Sequence, residues 1–385
     1  MPTKGSHFTD VRSVIENLTP GYPVYCLRPK ELERSAKLFL DNFPGRVLYA
    51  IKCNPNPLVL QTLYDAGIRH FDTASLVEIA TIREMFADAD TYYMHPVKSR
   101  ASILSARQIY NVDHWVIDHE SELDKLIDVV GAGDGQVVLV RIRTKSFGAA
   151  FELSDKFGAP TQAAASLLDK VAEAGFQPGL AFHVGSQVRN VEAFRDAIAT
   201  VGQVLENANT HIHYLDVGGG FPVHYINEDI PAFMDFMDAI KESLATINLR
   251  GDCVIMCEPG RALVGSGASL ITQVQLRKED TLYLNDGIYH SMSEQRGGFQ
   301  MPVRAHRLKG EMASETMDYT IFGPTCDSVD VLPYKLALPA DINEGDWVEF
   351  GQMGAYSNSM ATAFNGFFTE TYVTVDEAPL LPDED

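Results

Sequence analysis

Residues 213–222 read HYLDVGGGFP, a short apolar run that ends in an acid and three consecutive glycines. An apolar run of this length, bounded by turn residues, predicts a buried strand, and glycines permit the tight turn after it. Short apolar runs of this kind occur eight times between Val47 and Cys257. Segments with helical spacing separate them, for example residues 57–67, 76–86 and 163–175. The region is therefore predicted to consist of repeated strand–helix units.

Eight such units are the number that closes a parallel barrel, so the sequence predicts an α/β protein with a (β/α)8 barrel. An open doubly wound sheet is the alternative, but the number of consecutive units favours closure. Active sites of such barrels form at the carboxyl ends of the strands. The residues that end these runs and carry polar groups or a flexible backbone are Lys52, Asp72, His95, Arg141, His183, Gly218 and Glu258.

A second domain is predicted after about residue 270, where short apolar runs follow one another without helical segments between them. This pattern is typical of an antiparallel β domain. The stretch YPVYCLR at 22–28 is expected to add one or two strands to it. The predicted domains are a barrel over residues 28–268 and a β-sandwich made from residues 1–27 together with 269–385.

The composition restricts the kinds of partner. The 385 residues include 52 acidic and 31 basic side chains, and the net charge is −21. This argues against nucleic acid and anionic membranes, which bind Lys and Arg, and it fits a cationic substrate. The five cysteines have neither metal-ligand spacing nor a disulfide framework, so no metal site is predicted and a reducing compartment is favoured. No apolar signal segment opens the sequence, and the cytoplasm is the expected location.

Lys52 ends the first apolar run, in VLYAIKCNPNP. Lysine is rarely buried without a partner, so one that closes a core strand is either a rim residue with an exposed amine or a catalytic amine. A catalytic lysine in this place can bond covalently to a carbonyl cofactor.

Phosphate-binding and ring-binding groups are predicted on the last two runs. Barrel phosphate sites commonly use the loops after strands seven and eight, where the three glycines and the segment EPGR lie. Glu258 can hold a pyridine nitrogen protonated, and Arg261 can contact a phosphate. The alternatives are a tight turn for the glycines and an ion pair between Glu258 and Arg261 at the rim.

Two further motifs contain reactive groups. FHVGSQ contains His183, which on its own is best interpreted as a core histidine but can lie against a planar cofactor, and Ser186, which can contact phosphate. GPTCDSVD at 323–330 places Cys326 and Asp327 in a Gly/Pro loop of the second domain. A free cysteine is more often an inert core residue. A catalytic role requires this loop to reach a barrel mouth, in the same chain or in a partner.

Together these motifs resemble the fold-type III decarboxylases that depend on pyridoxal phosphate (PLP), the family of eukaryotic-type ornithine decarboxylase and diaminopimelate decarboxylase. The resemblance extends over nearly the whole chain, and its segments are YAIKCNPNP, FDTAS, FHVGSQ, LDVGGGFP, EPGR, NDGIY, GPTCDSVD and GAYSNSMATAFNGF. It implies a PLP cofactor, a barrel with a β-sandwich domain, and a homodimer whose active sites are shared between subunits.

The resemblance also implies roles for individual residues. Lys52 would hold the cofactor covalently, Glu258 would bind the ring nitrogen, and His183 would stack on the ring. Cys326, from the neighbouring subunit, would protonate the substrate carbon after CO2 leaves, and Asp327 would hold the distal amine. Further cofactor contacts are implied for Asp72, Glu78, Arg141, Ser186, Gly219, Gly220, Gly260, Arg261 and Tyr356, and further substrate contacts for Tyr289 and Phe364.

The implied reaction is the decarboxylation of a small basic amino acid, first of all L-ornithine to putrescine in polyamine biosynthesis. Eukaryotic ornithine decarboxylases carry a Tyr-Asp pair shortly after the position of Tyr289, and this chain lacks it. Glu294 is the nearest acid and resembles a glutamate of the bacterial lysine/ornithine branch, so it is expected to bind the distal amine; the alternative is a solvated loop acid. Lysine, or lysine and ornithine together, is the alternative substrate.

Other activities resemble this chain less. Diaminopimelate decarboxylases usually have Cys-Glu where Cys326-Asp327 stands, and carboxynorspermidine decarboxylases are less similar. Arginine decarboxylases of this fold are expected to be much longer chains. A racemase on a related barrel would need a tyrosine as its second acid or base and would lack the CDSVD loop. An inactive regulator like the antizyme inhibitors would have lost cofactor-binding residues that this chain retains.

Overall fold

The computed structural model describes residues 6–131, 133, 135–144, 149–151 and 156–382. The strands found there are β1 (His7–Phe8), β2 (Val24–Leu27), β3 (Arg46–Ala50), β4 (His70–Thr73), β5 (Asp90–Tyr93), β6 (His114–Ile117), β7 (Val137–Arg141), β8 (Ala149–Phe151), β9 (Gln177–Ala181), β10 (Ser186–Val188), β11 (Tyr214–Asp216), β12 (Val254–Cys257), β13 (Ala268–Lys278), β14 (Thr281–Leu284), β15 (Val303–His306), β16 (Thr316–Phe322), β17 (Leu336–Pro339), β18 (Trp347–Phe350) and β19 (Tyr372–Val375).

The α-helices of the described residues lie mostly between barrel strands, and short 3₁₀ turns occur at 51–53, 265–267, 293–297 and 364–366. The helices are α1 (Val11–Leu18), α2 (Pro29–Asn42), α3 (Pro57–Asp65), α4 (Leu76–Met85), α5 (Arg100–Tyr110), α6 (Glu120–Val130), α7 (Thr161–Glu173), α8 (Glu192–Asn207), α9 (Phe233–Leu244) and α10 (Arg261–Val264). None of them is long and apolar enough to cross a membrane.

Eight parallel strands close a barrel in the order β3, β4, β5, β6, β7, β9, β11 and β12. Pairing of Met256 on β12 with Arg46 on β3 completes the closure. Each strand coincides with one of the eight apolar runs, so the predicted barrel is confirmed. Closure matters for function because all eight carboxyl ends meet at one mouth.

Apolar side chains fill the barrel and seal the helices onto it. The barrel interior includes the buried side chains of Leu48, Tyr92, Val116, Leu139 and Met256. The helices follow the expected 3.6-residue spacing: α8 buries Phe194, Ala197, Ile198, Val201 and Val204 on one face. The mouth therefore lies on a packed, rigid scaffold.

The second domain is a mixed β-sheet that centres on the long strand β13. β13 pairs antiparallel with β2, β14 and β18, but β1–β19, β2–β19 and β14–β16 are parallel pairs. The predicted second β domain is confirmed, but its sheet is mixed and not antiparallel as expected, partly because the N-terminal strands β1 and β2 pair in parallel with the C-terminal strand β19. β15 and β17 were not among the predicted strands. The domain boundaries at 27/28 and 268/269 stay predictions.

The second domain contacts the barrel mouth through residues 353–359. The Tyr356 N–H donates to the carbonyl of Cys53 at 2.8 Å, and the Asn54 amide donates to the carbonyl of Gly354 at 2.8 Å. A Cβ at Gly354 would lie 1.6 Å from the carbonyl oxygen of Val264, so only glycine permits this approach. The contact carries Tyr356 to the edge of the barrel's mouth.

Candidate active site

A cavity of about 350 Å³ opens at the carboxyl ends of the barrel strands. It brings together residues that lie more than 300 positions apart in the sequence. The residues singled out in the sequence that line it are Lys52, Asp72, His95, Arg141, His183, Ser186, Gly220, Glu258, Gly260, Arg261 and Tyr356.

Lys52 lies in the 3₁₀ turn that follows β3, and its amine points into this cavity. Nζ lies 2.9 Å from Oδ2 of Asp72, whose side chain is 1% exposed, whereas that of Lys52 is 43% exposed. Burial lowers the pKa of Lys52, but the carboxylates of Asp72 and Glu258 raise it more, so the pKa lies above the usual value. The cavity therefore holds an amine on a carboxylate-rich floor.

A second buried carboxylate, Asp216, lies beside Glu258 at the ends of the neighbouring strands β11 and β12. Burial raises the pKa of Asp216 to about 7, and burial together with Asp216 raises that of Glu258 well above its usual value. Glu258 Oε1, Asp216 Oδ2 and Asp72 Oδ1 are buried and have no hydrogen-bond partner in the described part of the chain. This floor can accept a cationic or hydrogen-bond-donating group.

His183 follows β9 as a half-buried, neutral imidazole. Its Nδ1 accepts the N–H of Gly185 at 3.1 Å, which leaves the proton on Nε2. Burial and the nearby cations Arg141 and Lys52 hold its pKa well below the usual range. A Cβ at Gly219 would lie 3.2 Å from this Nε2 and 2.5 Å from the Glu258 carbonyl oxygen. The glycine is therefore required for this close approach, although Gly219 itself does not line the cavity.

Arg261, the first residue of α10, places a guanidinium at one corner of the cavity. One Nη2 hydrogen reaches Ser186 Oγ at 3.3 Å, and the buried Nε has no partner among the described residues. Gly220 lies at the same corner with φ +102°, a conformation that glycine adopts easily. The ring of Tyr356 lies 5.1 Å from the guanidinium carbon. Free N–H groups of a guanidinium suit a phosphate.

Glu294 does not line this cavity. Its carboxylate binds Nη1 and Nη2 of Arg261 at 2.5 and 3.1 Å, and the two side chains are 8% and 3% exposed. The structure thus places Glu294 neither at a distal-amine subsite in this cavity nor in a solvated loop, because the 3₁₀ turn at 293–297 directs it inward onto the arginine.

Cys326, Asp327, Tyr289 and Phe364 form a separate cluster on the second domain. The Tyr289 hydroxyl donates to Asp327 Oδ2 at 2.5 Å, and the rings of Tyr289 and Phe364 lie 5.0 Å apart. Cys326 and Asp327 line another cavity, of about 480 Å³, which shares no residue with the cavity of Lys52. One chain therefore carries the predicted residues in two separate groups.

The sequence prediction missed Asp216 and Phe157 at the Lys52 site, and it placed His95 at a strand end without giving it a role. Asp216 precedes the three glycines in the quoted motif, which is a usable signal. His95 and Phe157 line the cavity with their rings 5.3 Å apart, and the Arg141 guanidinium lies 5.6 Å from the Phe157 ring. Nothing in the spacing of Phe157 indicates this position, because a loop brings it there.

Comparison with known proteins gives consistent results. Residues 29–265 match the family model described as pyridoxal-dependent decarboxylase, pyridoxal binding domain. The lysine/ornithine decarboxylase of Selenomonas ruminantium is 34% identical over 86% of this chain and 84% of its own. The structure of a Vibrio vulnificus lysine/ornithine decarboxylase complexed with putrescine has a TM-score of 0.81 and 30% identity, over 96% and 99% of the two chains. The arginine decarboxylase of Paramecium bursaria Chlorella virus, bound to agmatine, has a TM-score of 0.83 and 28% identity, over 94% of this chain and 100% of the viral one.

Proposed function

We propose that this chain, which belongs to the pyridoxal-dependent decarboxylase family, acts on a small basic amino acid and prefers L-ornithine, which it converts to putrescine. Membership makes it a carboxy-lyase with PLP as its cofactor. The observation that carries the proposal is the Lys52 amine, 2.9 Å from buried Asp72, in a cavity that ends at the Arg261 corner.

The cavity fits PLP at three points. Lys52 supplies the amine that holds the cofactor covalently. Buried Glu258 Oε1, which has no partner among the described residues, supplies an acceptor for the N–H of the ring nitrogen. The Nε of Arg261, with Ser186 and the backbone at Gly220, supplies donors for the phosphate.

Bound PLP supplies a conjugated ring that takes up the electron pair left when the carboxylate departs as CO2. Glu258 is stabilised as an anion only when a positive group faces it, so it favours a protonated ring nitrogen. His183, which is neutral and half-buried, offers a flat, uncharged surface for the ring. The N–H of Gly185 orients that imidazole, and the absence of a side chain at Gly219 leaves room for it.

A cationic distal group on the substrate is supported by Asp327. Its carboxylate accepts from Tyr289, and this hydrogen bond lowers its pKa, so it is an anion at neutral pH. Because Glu294 is occupied by Arg261, we assign the distal-amine role to Asp327 and not to Glu294. Ornithine and lysine both fit this chemistry. Chain length no longer argues against arginine, because the viral arginine decarboxylase matches over its full length.

We further propose a homodimer in which Cys326 and Asp327 of one subunit complete the Lys52 cavity of the other. Two observations support this: the catalytic groups of one chain lie in separate cavities, and apolar side chains near Cys326 are exposed. These side chains, between 41% and 53% exposed, are Val329, Met360, Phe364, Phe367 and Phe368. A soluble monomer would leave this surface in water, whereas a dimer would bury it.

In that dimer Cys326 is the proton donor to the substrate carbon. Its thiol is exposed and lies in a loop that Asp330 braces by accepting the N–H and hydroxyl of Thr325 at 3.0 and 2.7 Å. We propose the cytoplasm as the location and polyamine biosynthesis as the setting, since all five cysteines are free thiols.

The test is amine production by PLP-loaded protein on L- and D-ornithine, L- and D-lysine, arginine, diaminopimelate and carboxynorspermidine. The expected result is the highest kcat/KM with L-ornithine, giving putrescine. A preference for L-lysine or arginine would change the proposed substrate but would leave the proposed decarboxylation unchanged. A protein that binds no PLP would support an inactive regulator, and racemisation without CO2 release would overturn decarboxylation.

A further inference from the structure

The guanidinium of Arg261 is held in place by more than one group. Its Nη1 donates to the hydroxyl of Tyr225 at 2.7 Å. Rings of Phe299, Tyr356 and Tyr225 lie 5.0, 5.1 and 5.8 Å from its central carbon. These uncharged contacts are therefore sufficient to orient the guanidinium.

Glu294 adds a charge to this arrangement. The carboxylate binds the two terminal nitrogens of Arg261, while the Nε edge stays free and one Nη2 hydrogen reaches Ser186. Since both side chains are more than nine-tenths buried, water screens this pair little. A phosphate bound at the free edge would therefore share the guanidinium with a nearby anion.

We propose that Glu294 is an internal counter-ion that neutralises the charge of Arg261 and thereby weakens the binding of the cofactor's phosphate. This rests on the proposed phosphate-binding role of Arg261. Arg261 alone would present one full positive charge to the phosphate, whereas Arg261 with Glu294 presents a pair that is close to neutral. A better orientation of Arg261 does not compensate for this loss of charge, because Tyr225 and the three rings orient the guanidinium without Glu294.

The same carboxylate stabilises the protein when no phosphate is bound. A buried arginine without a counter-ion is strongly destabilising. Glu294 removes this destabilisation. By linkage, an interaction that stabilises the cofactor-free site lowers the free energy that the site gains when phosphate binds. The pair thus makes the fold less dependent on its cofactor and the cofactor easier to release.

The test compares PLP with pyridoxal, which lacks the phosphate, in the Glu294→Gln variant. Dissociation constants are measured by absorbance or fluorescence titration of cofactor-free protein. We expect PLP to bind roughly tenfold or more tightly to the variant than to the parent, while pyridoxal affinity stays within about twofold. The thermal shift caused by PLP should also be larger, because the cofactor-free variant melts lower. Glu242→Gln, which breaks an exposed pair with Arg195, is the matched control and should change neither affinity.

Weaker PLP binding with unchanged pyridoxal binding would mean that Glu294 acts by orienting Arg261, and would overturn the proposal. Equal changes for both ligands would mean a purely structural role and would also overturn it. If the variant folds only with PLP present, the rate of PLP loss into a carbonyl scavenger replaces the titration; slower loss than from the parent supports the proposal and faster loss overturns it. Arg261→Met tests the premise separately: an unchanged preference for PLP over pyridoxal would show that Arg261 does not bind the phosphate.

Discussion

The ammonium of Lys52 lies 2.9 Å from a carboxylate oxygen of Asp72, and that carboxylate is almost completely buried. Lys52 follows β3 and Asp72 lies on the adjacent strand β4, where it pairs with Ala50 of β3. The second oxygen of Asp72 has no partner in the described part of the chain. The lysine is therefore held by an anion that cannot move into solvent, at the place where a carbonyl cofactor must be attacked.

Replacement of Lys52 by alanine should abolish covalent cofactor attachment, because among the described residues Lys52 is the amine that Asp72 holds in this cavity. Borohydride reduction of PLP-loaded protein, followed by peptide mass spectrometry, should find the adduct on Lys52 in the parent and none in the variant. Lys37→Ala, an exposed lysine paired with Glu33 on α2, serves as the control. A reducible adduct retained in Lys52→Ala would refute the assignment.

Asp72→Asn should move covalent attachment to lower pH. Asp72 is the nearest anion that raises the pKa of Lys52, so removing its charge lowers that pKa, and more of the nucleophilic free amine exists at a given pH. The measurement is the rate of PLP uptake between about pH 6 and 10. An unchanged profile would mean that Glu258 alone sets the charge of the lysine.

Asp216→Asn should reduce the pH dependence of stability in the cofactor-free protein. The folded-state pKa of Asp216 is about 7, raised from 3.8, so the folded protein binds a proton there that the unfolded chain releases. Stability is therefore lost as pH rises from about 4 to 7, by up to about 1.4 kcal/mol per pH unit. Urea unfolding at several pH values should show a shallower fall in the variant. Asp238→Asn, on the exposed face of α9, controls for charge; an equal slope in Asp216→Asn and parent would contradict the prediction.

Mixing two inactive variants should restore activity if the sites are shared between subunits. Lys52→Ala and Cys326→Ala chains, unfolded and refolded together, should regain about one quarter of parent activity, because random pairing gives about half heterodimers with one complete site each. Each variant refolded alone is the control. Recovery no greater than that of the single variants would place Cys326 outside the partner's site.

Glu349→Gln should destabilise the second domain. Glu349 is fully buried and binds Arg28 and Arg304 at 3.0 and 2.8 Å. Burial raises its pKa, but His306, Arg304 and Arg28 lower it to about 2, so the stabilisation is complete above about pH 4.5 and is lost as pH falls towards 2. Arg304 keeps its pair with Glu377, but leaving the buried Arg28 without a carboxylate partner should cost about 3 kcal/mol at pH 7, measured by urea unfolding. The exposed Glu206→Gln should cost little; an equally small effect at Glu349 would be the contrary result.

The sequence alone was sufficient for the barrel and for most of the residues that line its mouth. Eight apolar runs separated by helical segments specify eight strands, and parallel strands bring their carboxyl ends to one mouth. Lys52, Asp72, His183 and Glu258 therefore had to converge, whatever the loops do. Whether a residue lies at the end of a strand can be predicted from the apolar pattern of the sequence around it.

Only the tertiary structure decided what the loop residues contact. Glu294 points inward and pairs with Arg261, and Phe157 lines the Lys52 cavity. Cys326 lines a separate cavity. Asp216 lay in a quoted motif, but its pairing with Glu258 depends on the register of two strands far apart in sequence. The physical reason is the same in each case: the local sequence sets the direction of a strand, while the partner of a side chain on a loop or a neighbouring strand is set by long-range packing.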